Sequence, residues 1–146
     1  MTQAAFAATA TRSPALEAST PYIATLGRLL LAAIFLLSGF GKLTAAAGTI
    51  GYIQAAGLPV PAVAYAIAVA VELIGGVMLV LGYQARLVAA ALAGFSLVTA
   101  FAFHGNFADQ NQMIHFLKNV AIAGGMLQIV AFGAGSFSLD GKRVAA

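Results

Sequence analysis

From Pro21 onward, long apolar runs are broken by single polar residues, and the length of those runs predicts the elements. Four stretches stand out: about Tyr22 to Leu43, Pro59 to Gly82, Ala85 to His104, and Met113 to Ala134. Each is close to the ~20 residues that a helix needs to cross the hydrocarbon core of a bilayer. The first encloses LLLAAIFLLSGFG between Arg28 and Lys42, and the second opens on Pro59 and Pro61, a normal helix entry, and is interrupted only by Glu72. The third has no charge between Arg86 and Asp109, and the fourth carries Lys118 near its start. The link Gly82-Tyr83-Gln84 is too short to cross a membrane, so helices two and three are expected to form a tight antiparallel hairpin. The segment AAAGTIGYIQAAGLPVP between helices one and two is too short and too glycine-broken to span, and reads as an interfacial partial helix or re-entrant turn. The expected fold is an all-α membrane protein, a four transmembrane helix bundle with a short interfacial segment between helices one and two.

Around this core, residues 1–20, rich in Ala, Thr and Ser, read as a mobile tail, 21–140 as the membrane domain and 141–146 as a short C-terminal tail. A cleaved signal is disfavoured, because the first apolar stretch is preceded by a long tail with no net charge, Arg12 against Glu17, and contains Arg28.

Composition sharpens the class. Of 146 residues, 62% are hydrophobic and 8% charged, and the mean hydropathy is +0.97, so a soluble fold would leave large apolar patches in water. Disorder throughout and a coiled coil both demand more charge. With no cysteine, the chain has no disulfide, thiolate nucleophile, thiolate-ligated zinc or cysteine-held cluster. The net charge of +3 comes from few, scattered basic residues, which act as topology signals rather than a nucleic-acid surface. With four spans, Arg12, Arg28, Arg86, Lys142 and Arg143 share one side, against Lys42 and Lys118 on the other, which predicts both termini in the cytoplasm. GGVMLVLG (from Gly75) and GGMLQIVAFG (from Gly124) echo each other, compatible with a parallel repeat but more simply with glycines that let helices approach closely.

Chemistry rests on the polar residues inside the spans, since a central charge costs about 2.5–3.5 kcal/mol on the insertion scale. Glu72 lies about 16 Å from both surfaces, by the rise per residue, too deep to reach water. Its helical neighbours Ala68, Val69, Gly75 and Gly76 are mostly small, marking the face that packs against other helices. On helix one, Arg28, Phe35 and Lys42 recur every seven residues along one stripe. Side chains lean toward their helix's N-terminus, so Lys42 leans back into the membrane while Glu72, on the antiparallel second helix, leans outward toward the end where Lys42 lies. Lys42 is thus a better partner for Glu72 than Arg28, for which snorkelling to the inner interface is expected. Lys118 is an alternative partner, and Glu72, Lys42 and Lys118 form a candidate buried acid-base cluster. His115, Lys118 and Asn119 share a face of helix four. With His104 and Asn106 they outline an outer vestibule, and Arg28, His104, His115 and Asn119 are candidate substrate contacts. No metal site is expected, and haem or copper on the two histidines is disfavoured because their separation across a loop is not a metal motif.

The first-helix pattern GRLLLAAIFLLSGFGKL, the AAGLPVP link, ELIGGVMLVLG followed by Arg86, the late His104, and LKNVAIAGGMLQIVAFGAGSFSLD together resemble the DoxX-like family of small bacterial membrane proteins, over roughly residues 22 to 140. The resemblance implies a four-helix protein of the bacterial inner membrane whose relatives are linked to quinone and catechol stress, quinol oxidation and thiosulfate oxidation. Its recurrent polar positions fall on Arg28, Lys42, Glu72, Arg86, His104, Lys118 and Asn119. It points to a component of a membrane oxidoreductase system in which Glu72, Lys42 and Lys118 contact a quinone oxygen. Without cysteine, a redox step would use a bound cofactor or partner subunits, in the membrane or peripheral to it. Two other readings stand beside it: a non-catalytic membrane subunit whose small-residue faces dock a partner or a second copy, and a small-solute or proton pathway resting on Glu72.

Overall fold

The computed structural model describes residues 13–145. Six helices follow one another: α1 (Pro14–Thr44), α2 (Ala46–Ala55), α3 (Pro61–Leu81), α4 (Ala85–Phe103), α5 (Gln110–Phe132) and α6 (Leu139–Ala145). No strand occurs among the described residues, and α1, α3, α4 and α5 are each long and apolar enough to cross a membrane. The chain is an all-α, four-helix membrane bundle.

Helix α1 starts earlier than the sequence pattern suggests. Pro14 takes the first-turn position, and Pro21, which reads as a helix start, lies inside the helix. Proline at position 21 removes one backbone donor but does not end the helix, so the expected tail is helical from Pro14 onward. The part of that tail over residues 1–12 lies outside the described residues. The C-terminal segment is also helical, as α6. The segment between the first two spans is the helix α2.

Starts and stops follow local chemistry. Asp109 caps α5 by accepting the backbone N–H groups of Asn111 (2.8 Å) and Gln112 (3.3 Å). Gly82, at φ 63°, ends α3 in the left-handed conformation, and the following Tyr83 N–H bonds back to the Met78 carbonyl at 3.0 Å.

Packing concentrates in two pairs, α1 with α3 and α4 with α5, with thinner seams between α3 and α4 and between α1 and α5. The short link does make α3 and α4 neighbours, yet the tight hairpin expected of them is looser than either pair. Each helix contributes one buried stripe: Arg28, Ala32, Phe35 and Gly39 on α1; Glu72, Gly76 and Leu79 on α3; Leu92, Ser96 and Ala100 on α4; Ala123, Met126 and Ile129 on α5. Lipid supplies no hydrophobic drive between helices, so close contact of backbones matters more. Gly39 faces Leu73, Gly76 faces Leu36, and Gly125 faces Leu31, all within 3.2 Å of where a Cβ would stand. The echoing glycine pairs are therefore explained by packing: the second glycine of each receives a leucine of α1.

A buried ion pair on a cavity that opens to lipid

The heptad stripe of α1 places Ser38 one helical turn before Lys42, so both side chains enter the bundle together. From antiparallel α3, Glu72 leans the opposite way, toward the end where Lys42 lies, and meets them. Lys42 Nζ donates to both Glu72 oxygens at 2.8 Å and to Ser38 Oγ at 2.7 Å, and Ser38 Oγ donates to Glu72 Oε1 at 3.1 Å. This is the ion pair found among the described residues; the Glu72 side chain is 6% exposed and that of Lys42 25%. Pairing lets two charges remain inside the span, since each hydrogen-bonds to the other rather than to lipid. Tyr65 fixes the end of the stripe, its hydroxyl donating to the Lys42 carbonyl at 3.2 Å.

Beside the pair lies a cavity of about 500 Å³, within the ~300–1,000 Å³ range of small-molecule sites. Its polar groups are few, Lys42, Glu72, Ser38, Ser96, Thr99, His104 and Asn119 among them, and its walls are mainly aliphatic and aromatic, with Phe35 and Phe95 deep inside. Ser96 and Thr99 donate to carbonyls of their own helix, at 2.9 Å to Leu92 and 3.0 Å to Phe95, so their hydroxyl protons are already satisfied within α4. Helix α2 closes the Lys42 end: Thr49, Tyr52 and Ile53 line the cavity, and Tyr52 stacks on Phe103 of α4 with centroids 5.3 Å apart. Ile67 of α3 and Val98 of α4 also line the cavity, at the same height across the thin seam between their helices, and are 56% and 66% exposed. The cavity therefore reaches the lipid-facing surface between α3 and α4, while α2 covers its water-facing end.

The sequence-derived candidates divide. Lys42 and Glu72 are paired, and His104 and Asn119 line the same cavity. His115 is exposed and stacks on His104, centroids 5.0 Å apart, while His104 Nδ1 is 2.8 Å from Gln112 Oε1. Asn119 Nδ2 donates to the His115 carbonyl at 3.1 Å. Lys118 is exposed on α5, away from the cavity, and is not a partner of Glu72. Asn106 is exposed in the link before α5. Among the described residues, no group of three or more His, Asp or Glu side chains is arranged to hold a metal.

Arg28 departs furthest from expectation. It does not snorkel: it is 2% exposed and reaches across the far end of the bundle. Its Nη1 donates to the Ala134 carbonyl, and its Nη2 to Phe137 at 2.8 Å and Val80 at 3.4 Å. These carbonyls lie in the last turn of α3 and just beyond α5, where backbone acceptors are left over and a cation is favoured. The cavity residues that the sequence did not single out, Ser96, Thr99 and Tyr52, carry one common signal: hydroxyls within or next to apolar runs.

Comparison with known proteins agrees with this architecture. The chain is 39% identical over 113 residues to the inner membrane protein YqjF of Escherichia coli K12, covering 77% of this chain and 85% of the relative. It is 35% identical over 129 residues to the inner membrane protein YphA of the same organism, covering 84% of this chain and 91% of the relative. No solved structure matches the chain. Residues 23–105, which include the ion pair and most of the cavity wall, match the DoxX family, and with relatives this similar over most of its length the chain belongs to the DoxX family of membrane proteins.

Proposed function

We propose that the cavity binds a lipid-soluble quinone or a related redox-active aromatic, and that the chain serves as a component of a membrane oxidoreductase system in the bacterial inner membrane. The single observation that carries this reading is the placement of a buried Lys42–Glu72 pair on an apolar cavity reached from lipid. A quinone joins a flat apolar ring to carbonyl oxygens. The residues fit such a molecule: Phe35 and Phe95 supply aromatic surface, the Lys42 ammonium can exchange one of its three present bonds for a carbonyl oxygen, and Glu72 can accept or return a proton there. When bound, a quinone supplies two-electron, two-proton carrier chemistry, and the electrons come from or go to a partner subunit. Ser38 holds Lys42 in place, and α2 excludes water from the covered end. His104 and Asn119 complete the polar rim. The charge bias supports a topology with both termini, and with them Arg86, Lys142 and Arg143, on the cytoplasmic side.

The test is binding of a short-chain ubiquinone to detergent-purified protein, with extraction of co-purified lipid-soluble molecules. Glu72→Gln is expected to weaken binding about tenfold, the equivalent of one charge-assisted hydrogen bond. Undetectable binding to the wild type, or equal binding by the folded variant, would overturn the proposal.

One observation favours a second reading, a non-catalytic membrane subunit. All three N–H bonds of the Lys42 ammonium are taken up by Ser38 Oγ and the two Glu72 oxygens, and the pair sits where Gly39 lets α1 touch α3, as a device that fixes helix register would. In that case the neutral double substitution Lys42→Met with Glu72→Leu keeps the protein assembled and leaves every redox phenotype unchanged.

A further inference from the structure

The opposite end of the bundle holds a second cavity, of about 800 Å³, which plays no part in the proposed redox site. It lies between the first turn of α4, the turn that follows α5, and α6. Two guanidinium groups line it, Arg86 and Arg143, with one carboxylate, Asp140. The carboxylate is already engaged: its oxygens accept the backbone N–H groups of Gln84 (2.9 Å) and Ala85 (2.7 Å) at the start of α4. Among the described residues neither arginine forms an ion pair or a side-chain hydrogen bond. Arg143 is held over the Tyr83 ring, 4.9 Å from its centroid, and Arg86 lies along Gly133, whose φ of 84° turns the chain away from α5. Two cations share one concave site with their own counter-charge spent elsewhere.

The remaining wall identifies the ligand further. Leu87, next to Arg86, is 67% exposed, and Phe132, next to Gly133, is 80% exposed, and both line the cavity. Both occupy the ends of membrane-spanning helices, where exposed apolar side chains meet acyl chains. A free anion would use the arginines and leave this apolar surface idle, whereas an amphiphile uses both. We infer that this cavity is a binding site for an anionic phospholipid, with Arg86 and Arg143 holding its phosphate and Leu87 and Phe132 flanking its acyl chains. Basic pockets between membrane helices recognise such headgroups, and each arginine near an anionic surface is worth about 1 kcal/mol, or about fivefold in affinity.

The experiment is native mass spectrometry of the full chain released from micelles, with phosphatidylglycerol or phosphatidylcholine added. Phosphatidylglycerol is expected to be retained in preference to phosphatidylcholine. Arg86→Gln and Arg143→Gln should each weaken that retention about fivefold. Lys118→Gln, which removes a cation at the other end, should leave it unchanged, and Arg86→Lys should keep most of it. Equal retention of the two lipids, or undiminished phosphatidylglycerol binding by the folded double variant, overturns the site. Displacement of the lipid by millimolar inorganic phosphate or glycerol phosphate overturns the lipid as its occupant and assigns the arginines to a free anion. Quinone binding at Lys42 and Glu72 is read separately, so neither result decides the other.

Discussion

Arg28 and Lys42 lie two heptads apart on one stripe of α1, and each marks one end of the bundle interior, but they are satisfied in different ways. Arg28 is enclosed by main-chain carbonyls of Ala134, Phe137 and Val80, acceptors that have no protonation state to change. Lys42 is held by a carboxylate and a hydroxyl on the wall of a cavity. A planar guanidinium with several fixed donors suits the first task, joining three segments at once, and a compact ammonium suits the second. The difference separates the ends of the molecule: the Arg28 end ties α1 to α3 and to the chain beyond α5, and the Lys42 end sets an acid and a base beside the cavity in which we propose a ligand binds. A buried charge in a membrane helix is thus not by itself a sign of chemistry; the partner's nature and the open volume beside it decide.

The largest effect should come from breaking the tie. Arg28→Met removes the donor from one buried and two part-buried carbonyl contacts and should destabilise the protein by about 3 kcal/mol. Thermal unfolding in detergent checks this. Quinone binding per folded molecule should stay at the wild-type level, because the cavity is not lined by Arg28. A binding defect in folded Arg28→Met would show that the two ends are coupled and would break the division drawn here.

A smaller effect tests how the Lys42 end is positioned. A Cβ at Gly39 would stand 2.8 Å from the Leu73 side chain and 3.2 Å from Glu72 Cβ, pushing α3 away from α1 at the ion pair. Gly39→Ala should cost about 2 kcal/mol and weaken ligand binding, whereas Gly94→Ala, with nothing within 4 Å, should do neither. If Gly39→Ala lowered stability without affecting binding, the register of α1 against α3 would not control the cavity.

How far these ends are legible in the sequence differs as well. Direction favours Lys42 over Arg28 as the partner of Glu72, because the two side chains lean toward each other from antiparallel helices and a carboxylate in mid-span requires a cation, but it leaves Lys118 open as an alternative. The four spans follow from run length. Arg28 was not legible, because its partners are carbonyls of positions 134 and 137, and every residue has a carbonyl; only the three-dimensional path of the turn after α5 brings them near. Lys118 was misplaced for a related reason. Helical spacing puts it within reach of Glu72 in depth, but the rotation of α5 that directs Asn119 and Ile122 inward leaves Lys118, about 100° round the helix from Asn119, facing outward. Helix α6 was hidden because a seven-residue polar segment carries no apolar period, and its role appears only where Asp140 meets α4.

That contact supplies the smallest and most discriminating test of the Arg28 end. Asp140 caps α4 from a distant part of the sequence, taking the N–H groups of Gln84 and Ala85, while its own N–H donates to the Gly82 carbonyl at 3.0 Å. Removing the carboxylate leaves two amides at a helix start unsatisfied, so Asp140→Ala should lower stability by about 1 kcal/mol. The same change deletes the one negative charge that lines the cavity of Arg86 and Arg143, so retention of phosphatidylglycerol should rise. The signs oppose each other: a cap lost on the unfolding curve, an anion gained in the mass spectrum. Loss of both would mean that Asp140 holds α6 and Arg143 in place and that the cap, not charge, organises the lipid-binding wall; ligand binding at the Lys42 end should be indifferent in either case, because α6 touches no part of that cavity.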